Sequence, residues 1–355
     1  MAMPVETHRA QIVAILEAWG MPEPNATRTA DVMTWADLRG VSSHGISMLL
    51  NYDALRARNK VKFVAEPAIV RETPVSALVD GGDGLGYVPM RFSTELAIAK
   101  AKKSGIGVVS VRNSMHFGAC GFYAEAAVEA GLIGMVMTGT SKAAVAPTGG
   151  AEGRLGTDPI AFGAPALDGD FFLLDMATTT VAGGKIRNLA VENLPCPPGW
   201  ILDPRGLPST EPKDVYEGSG FMTSLGGSRE GASHKGYGLA VMVNILSACL
   251  SGASLVSDPM HAKEAGKGSN IGHFFMALDP GLFRDPEEFR ADVSTFLGAL
   301  RATRPVDAAE PVLVAGDPER AKLSKRRVSG IDVPKGLRQK LRSIADAAGA
   351  PWVLG

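Results

Sequence analysis

The stretch SALVDGGDGLGYVPMRFSTELAIAKAKKSGIGVVSVRNSMHFGACGFYAEAAVEAGLIGMVMT, residues 76–138, decides the fold class because strand-like and helix-like patterns alternate along it. Short apolar runs predict three strands, at Ser76–Asp80, Ile106–Val111 and Leu132–Met137. Helical spacing of apolar residues predicts two intervening helices, at Arg91–Lys103 and Ala119–Ala130. Short connections between such elements are typical of right-handed crossovers, so we predict an α/β fold with parallel pairing of the three strands.

The flanking sequence predicts further helices and two further strands. The strands are expected at Phe171–Leu174 and Gly272–Leu278. The helices are expected at residues 7–19, in a segment capped by Asn25, and at Ile46–Arg58, Lys235–Leu250, Pro286–Ala302 and Gly336–Ala348. The proline-rich stretch PCPPGWILDPRGLPSTEP, residues 195–212, predicts an ordered flap or lobe on the surface.

The composition excludes several classes of protein. Thirty-six Lys and Arg balance 37 Asp and Glu, so the net charge of −1 gives no support for binding nucleic acid or an anionic membrane. Three cysteines without a C-x-x-C pair cannot form a disulfide framework. The N-terminus has no apolar signal core, and the apolar stretch Gly236–Val256 is interpreted as a buried helix. We therefore expect a cytoplasmic protein.

Two of the six histidines lie where chemistry is expected. His116 follows the strand IGVVSV and precedes a helix, and Gly118 and Gly121 would let a ligand approach exposed backbone N–H groups. His44 lies between two helices in Ser-Ser-His-Gly, where Ser43 can orient the imidazole. The alternatives are a capping or core histidine for His116 and an ordinary serine-rich helix linker for His44.

Other motifs indicate anion or nucleotide contacts less specifically. The loop GGDGLG, residues 81–86, lacks the G-x-G-x-x-G spacing of a Rossmann fingerprint, and an ordinary glycine turn is favoured. Asp175-Met176-Ala177 ends a strand, where a carboxylate could hold ribose hydroxyls, although an N-cap is an equal alternative. Lys235 opens the long apolar helix, where it suits an anion unless it is an ordinary solvated lysine. The histidine spacing shows no metal-binding pattern, so no metal is expected.

Six motifs follow one another along the chain: ADLRGVSSHG, RNSMHFGACGFYAEAAVEAGLIGMVMT, APTGGAEGRLGTDPIAFGAP, LDMATTTVAGGKI, GWILDPRGLPSTEP and SHKGYGLAVMV. In these motifs, and over about residues 7–335, the chain resembles the malate/L-lactate dehydrogenase-like family of oxidoreductases. That family includes sulfolactate and ureidoglycolate dehydrogenases, diketogulonate reductase and piperideine-2-carboxylate reductases. The resemblance implies a non-Rossmann, sulfolactate-dehydrogenase-like α/β fold that binds NAD or NADP. It also implies a homodimer, and a mostly helical domain (1–70 plus 285–355) beside an α/β NAD(P)-binding domain (71–284).

The resemblance also implies roles for individual residues. His44 matches the family histidine proposed as the proton donor, with Ser43 as its partner. The H-F-G motif His116-Phe117-Gly118 matches a histidine treated in some members as the catalytic base and in others as a cofactor contact. The other positions that match cofactor contacts are Thr140, Asp175, Met176, Ala177 and Lys235.

Two departures from the family pattern concern the substrate. Many members carry an arginine four residues after the S-H-G histidine, where it can grip a substrate carboxylate, and this chain has Met48. The candidate replacement anchors are Arg39, Lys142 and Arg187. Members of the ketimine-reducing branch carry an aspartate where this chain has Lys185, and the absence of that aspartate argues against the branch.

We therefore expect an enzyme that passes hydride between a nicotinamide and the C2 of a small 2-hydroxy or 2-oxo acid, with a histidine as proton carrier. The alternatives are a cyclic imino-acid reductase and a catalytically silent protein that binds a nucleotide or metabolite on the same scaffold. A small carboxylate is the expected partner, together with a second copy of the chain.

Overall fold

The computed structural model describes residues 2–256 and 269–355, so that His261 lies outside the described residues. The described helices are α1 (Val5–Ala18), α2 (Glu23–Leu38), α3 (Met48–Ala57), α4 (Tyr87–Ser104), α5 (Cys120–Glu129), α6 (Gly183–Glu192), α7 (Lys213–Tyr216), α8 (His234–Asn244), α9 (Pro286–Arg301), α10 (Asp317–Ser329) and α11 (Lys335–Ala348). The described strands are β1 (Ala2–Met3), β2 (Ala68–Glu72), β3 (Ser76–Asp80), β4 (Ile106–Ser114), β5 (Ile133–Thr138), β6 (Ile160–Pro165), β7 (Phe171–Met176), β8 (Ile201–Leu202), β9 (Pro208–Ser209), β10 (Phe221–Met222), β11 (Ile271–Leu278) and β12 (Ile331–Asp332).

The central sheet is mixed, with the strand order β2-β3-β4-β11-β5-β6-β7 among the described residues. Strands β3 and β4 pair in parallel, as predicted, and the other neighbours in this sheet pair antiparallel. The carboxyl ends of β4 and β5 lie beside the amino end of β11, because His273 pairs with Val111 and Thr138. The H-F-G loop begins at these strand ends.

The prediction that the third strand of residues 76–138 pairs directly with the second is wrong. Strand β11 lies between β4 and β5 and runs antiparallel to both. Its residues 271–275 are all buried, so it needs cover on both faces and a place inside the sheet. Strands β4 and β5 still run in the same direction, since each is antiparallel to β11.

Several element boundaries also differ from the predictions. Helix α2 begins at Glu23 rather than at a cap formed by Asn25, because Pro24 fits the first helical turn. The predicted helix 235–250 is α8 followed by a π-helix at Ile245–Cys249. Strand β2 was missed because its five residues are all exposed at the sheet edge, and β6 because Gly163 and Pro165 weaken its strand pattern.

Helices cover both faces of the central sheet. Helices α4 and α5 pack on one face, and α8 with the π-helix packs on the other. Helices α10 and α11 pack against α2 and α3, and β1 pairs with β12, so the two chain ends meet. The division of the chain into two domains stays a prediction. None of the described helices has the length and apolar character needed to cross a membrane.

The buried imidazole of His273 fastens β11 to both of its neighbours. Its Nδ1 lies 2.7 Å from Thr138 Oγ1 on β5, and its Nε2 lies 2.8 Å from Ser114 Oγ on β4. The residue is fully buried, and this burial lowers the pKa of His273 from 6.5 to about 3. Between pH 6.5 and about pH 3 this imidazole is therefore neutral in the folded chain, whereas it gains a proton in the unfolded chain.

Acid should weaken the fold through His273. Between pH 6.5 and about pH 3 the unfolded imidazole binds a proton that the folded one does not, so the free energy of unfolding should rise with pH across that window. His273→Gln should flatten this slope by up to about 1.4 kcal/mol per pH unit. At neutral pH the same change should cost about 1–3 kcal/mol through the broken hydrogen bonds. Urea denaturation from about pH 4.5 to about pH 7.5 measures both effects.

The matched control is His234→Gln, because His234 is exposed at the start of α8 and its replacement opens no core. Equal pH slopes for the native chain and His273→Gln would contradict this account of His273.

Candidate active site

The Ser-His-Gly loop takes its shape from one buried carboxylate. Residues Ser42–His44 form a 3-10 turn between α2 and α3, and the Asp37 carboxylate accepts the Ile46 N–H at 2.7 Å. A Cβ at Gly45 would overlap the Asp37 carboxyl group, so only glycine lets the loop approach this closely. The motif is therefore more than a flexible helix linker, and His44 leaves the loop in a fixed direction.

Asp37 also connects this loop to both ends of the chain. Its carboxylate lies 2.9 Å from Nε2 of His8 on α1, and its carbonyl oxygen accepts a hydrogen bond from Arg326 on α10. Both His8 and Asp37 are buried. The position of His44 thus depends on helices from both ends of the chain.

His116 is held from behind by two phenols and a backbone amide. Its Nδ1 lies 2.8 Å from the Tyr52 hydroxyl and 3.3 Å from the Gly118 nitrogen, and the Tyr87 hydroxyl lies 2.8 Å from that of Tyr52. Gly118 has φ +86°, and a Cβ there would lie 2.6 Å from the Tyr87 ring. Gly86 of the GGDGLG loop donates its N–H to the His116 carbonyl at 3.0 Å. That glycine turn therefore supports the His116 loop.

The two imidazoles predicted from sequence stand face to face. The ring centroids of His44 and His116 lie 5.3 Å apart with an angle of 30° between their planes. Ser43 Oγ lies 2.8 Å from His44 Nδ1. Burial lowers the pKa of His44 below 6.5, and burial together with the neighbouring imidazoles of His44 and His273 lowers that of His116 to about 3. Both rings are therefore neutral at neutral pH.

A cavity of about 610 Å³ opens beside His44. Its wall comes from the Ser-His-Gly loop, the start of α5, the end of β7, the start of α6 and the segment that leads into α10. The lining residues are Trp35, Val41, Ser43, His44, Gly118, Ala119, Cys120, Thr157, Pro159, Leu173, Leu174, Asp175, Met176, Ala177, Ala182, Gly183, Gly184, Leu313, Val314, Ala315, Gly316, Pro318 and Glu319.

The cavity fits a nicotinamide dinucleotide in size and in chemistry. Its volume lies in the range of cofactor pockets. The Asp175 carboxylate accepts the Gly121 N–H at 2.7 Å. The surrounding protein desolvates this carboxyl group and raises its pKa to about 6, although solvent still reaches the residue through the cavity. At the start of α6, Gly183 and Gly184 leave open space where a diphosphate can approach backbone N–H groups. A carboxylate for hydroxyls and a helix terminus for phosphate thus face the same space.

The structure brings some of the predicted site residues together and leaves others apart. Six of them line the cavity, namely Ser43, His44, Gly118, Asp175, Met176 and Ala177. His116 stands outside this wall, stacked on His44, and Phe117 is buried with its ring 4.5 Å from that of His273. Thr140 lies after β5 with its hydroxyl 3.4 Å from the Lys142 carbonyl oxygen, and Lys235 is exposed at the start of α8.

The candidate substrate anchors differ in their freedom to bind a carboxylate. Arg39 is buried in an ion pair with Glu125 and stacks on Trp35 at 4.2 Å, so its guanidinium is already engaged. Met48 begins α3, half-buried against the main core. Lys142 lies in an exposed loop, and Arg187 is exposed on α6.

The sequence patterns did not single out Asp37, Tyr52 or Tyr87 as site residues. Each lies on a helix among apolar residues, and its sequence context is that of an ordinary core or surface residue. Asp37 lies seven residues before His44 on an otherwise buried helix face, and such a carboxylate needs a partner. That is the one signal that could have identified it. Within residues 2–256 and 269–355, no cluster of three or more His, Cys, Asp or Glu could hold a metal ion.

Comparisons with known proteins identify the family of this chain. The family model described as malate/L-lactate dehydrogenase matches residues 3–342. Malate dehydrogenase from Pyrococcus horikoshii is 40% identical over 339 residues, which cover 95% of this chain and 93% of the relative. A solved structure of malate dehydrogenase from the same organism superposes with a TM-score of 0.89 and covers 99% of this chain and 96% of that one.

Two further relatives are named for other substrates. L-sulfolactate dehydrogenase from Methanocaldococcus jannaschii is 36% identical and covers 98% of both chains. Ureidoglycolate dehydrogenase (NAD(+)) from Escherichia coli is 31% identical and covers 92% of this chain and 90% of its own. These matches confirm both the resemblance and the fold class predicted from it. The chain belongs to the malate/L-lactate dehydrogenase family of pyridine-nucleotide-dependent oxidoreductases.

Proposed function

We propose that this enzyme transfers hydride between NAD or NADP and the C2 of a small 2-hydroxy or 2-oxo acid, as a malate-like or lactate-like dehydrogenase. The observation that carries the proposal is that His44, stacked on His116, lines a cavity whose wall also includes Asp175. The names of the relatives support it, because malate and sulfolactate are both 2-hydroxy acids.

The cofactor would lie along the cavity. When bound, its nicotinamide supplies or accepts the hydride. Asp175, Met176, Ala177 and Gly118 would line its path, and the start of α6 would meet its diphosphate. The contacts of His116, Phe117, Thr140 and Lys235 with the cofactor are proposed from the family resemblance alone.

His44 is proposed as the proton carrier. Its Nδ1 is held by the Ser43 hydroxyl, so its Nε2 remains to face a ligand. In reduction, a protonated His44 gives its proton to the substrate oxygen as hydride arrives at the carbon, and in oxidation the neutral ring takes the proton back. Ser43 keeps the ring in the orientation that both steps need.

The carboxylate of the substrate needs a cation. We propose Lys142 or Arg187 for this role, because both are exposed cations whereas Arg39 is paired with Glu125 and Met48 carries no charge.

We also propose that the enzyme is a homodimer of the cytoplasm. The family resemblance supports the dimer. The three cysteines, Cys120, Cys196 and Cys249, are all free thiols, as is usual in a reducing compartment.

The pH dependence of the two directions should be opposite. Because burial lowers the pKa of His44 below 6.5, the rate of 2-oxoacid reduction should already decline as the pH rises through that lowered value. The rate of 2-hydroxyacid oxidation should rise across the same interval and then level off, since it needs the neutral ring. Measuring kcat with saturating cofactor from about pH 5 to about pH 8 tests this. Parallel pH profiles in the two directions would contradict the assignment.

Removing the imidazole of His44 should abolish most turnover and spare cofactor binding. His44→Ala should lower kcat by about 10²–10⁴-fold, the range of positioned acid–base catalysis. Nicotinamide fluorescence titration should give a Kd close to that of the native enzyme. His234→Ala is the matched control, because His234 is exposed and lies outside the cavity wall.

A substrate panel of 2-oxoacids and cyclic imines, assayed with NADH and with NADPH, completes this test. Preference for a cyclic imine would replace the proposed substrate class. Full activity of His44→Ala would remove His44 as the proton carrier, and a native chain that binds nucleotide without turnover would contradict the enzymatic proposal.

A further inference from the structure

Two buried tyrosines that no part of the proposed chemistry uses stand behind His116. Tyr52 on α3 and Tyr87 at the start of α4 are both fully buried. The Tyr52 hydroxyl lies 2.8 Å from Nδ1 of His116 and 2.8 Å from the Tyr87 hydroxyl, so the three groups form one chain of hydrogen bonds.

The Gly118 amide indicates which groups donate and which accept in this series of hydrogen bonds. A backbone N–H can only donate, and the Gly118 nitrogen lies 3.3 Å from His116 Nδ1 with hydrogen-bond geometry. This contact favours an accepting Nδ1, whose single lone pair is then shared by the Gly118 N–H and the Tyr52 hydroxyl as donors. The Tyr52 oxygen in turn accepts from Tyr87. A neutral imidazole that accepts at Nδ1 carries its hydrogen on Nε2.

We propose that Tyr52 and Tyr87 are positioning residues that hold His116 as its Nε2–H tautomer, so that His116 donates a hydrogen bond to the reacting oxygen while His44 alone carries the proton. The catalytic part of this inference rests on the proposed function, and the tautomer part does not. A neutral N–H aimed at a developing negative charge stabilises it without any proton transfer. The inference thus assigns different tasks to two histidines that the sequence could not tell apart.

The surroundings of His116 oppose a role as proton carrier. A second proton on Nδ1 would face the Gly118 N–H, which can only donate, and would add a charge beside the imidazoles of His44 and His273. Burial raises the pKa of Tyr52 above 10, so this phenol does not supply a proton to replace one given away by Nε2.

Several titratable groups surround the pair of phenols. Burial raises the pKa of Tyr87, the hydrogen bond with Tyr52 lowers it and the Asp37 carboxylate raises it, with a net rise. Tyr123 lies near both phenols. The surroundings of His44 Nδ1 differ, because no backbone N–H of the described residues points at it and its partner is the Ser43 hydroxyl, which can donate or accept. Its partner therefore tolerates both protonation states of the ring.

The first arm of the test reads the tautomer directly in the full-length native enzyme. Nitrogen NMR of isotope-labelled histidine, with His116 assigned by its loss in His116→Gln, should show an unprotonated Nδ1 and a protonated Nε2. These two signals should not move from about pH 8 to about pH 5, a range in which an ordinary histidine titrates. A protonated Nδ1, or a ring that titrates in this range, would overturn the proposal. This arm needs no substrate, so its result is independent of the proposed function.

The second arm measures the catalytic consequence. Tyr52→Phe keeps the ring and removes the hydroxyl, so it should mix the two tautomers and bring the two nitrogen signals of His116 closer together. It should lower kcat by about 10–100-fold in both directions, the range seen when a partner that orients a functional imidazole is removed. The matched control is Tyr123→Phe, because Tyr123 is equally buried but donates to the Phe117 carbonyl at 2.7 Å.

Tyr123→Phe should leave the His116 nitrogen signals as in the native enzyme. Native-like signals and native kcat in Tyr52→Phe would overturn the positioning role. A native enzyme with the expected tautomer but no turnover of any 2-oxoacid would uphold the tautomer and reject the proposed function instead.

Discussion

The buried carboxylate of Asp37 is the contact on which the rest of the site depends. It fixes the backbone after His44 through the Ile46 N–H and contacts His8 on α1. The backbone carbonyl of the same residue accepts a hydrogen bond from Arg326 on α10, so Asp37 is tied to helices from both ends of the chain. A carboxylate removed from water needs such partners, since an unpaired one would be costly. The Ser-His-Gly loop therefore owes its geometry to contacts with helices from both ends of the chain.

The sheet supplies the second half of the site through an equally non-local constraint. Strand β11 enters between β4 and β5, and His273 bonds to both of them just below the H-F-G loop. Tyr52 then reaches His116 from α3, the same helix that follows the His44 loop. Both histidines are thus positioned by α3 and its preceding loop, although 72 positions separate them in the sequence. Their hydrogen-bond partners differ. That difference permits one to carry a proton and the other to remain a neutral donor.

Sequence reasoning identified local features well and non-local ones poorly. Strands β3 and β4 were predicted because short apolar runs report on their own conformation, whereas the place of β11 between β4 and β5 depends on residues more than 130 positions away. His44 and His116 were predicted as site residues from local features, a Ser-His-Gly loop and a loop between a strand and a helix, and their rings lie 5.3 Å apart. Tyr52 was missed because a tyrosine on an apolar helix looks like core until its hydroxyl partner is known.

A structure of the enzyme with NADH and oxamate, an unreactive analogue of a 2-oxoacid, would decide whether these residues act as assigned. The analogue should lie between the nicotinamide and the two imidazoles. Its carbonyl oxygen should be within about 2.6–3.2 Å of Nε2 of both His44 and His116, and its carbonyl carbon about 3–3.5 Å from the hydride-bearing carbon. A nicotinamide bound away from this pair, or an analogue that contacts neither ring, would contradict these assignments.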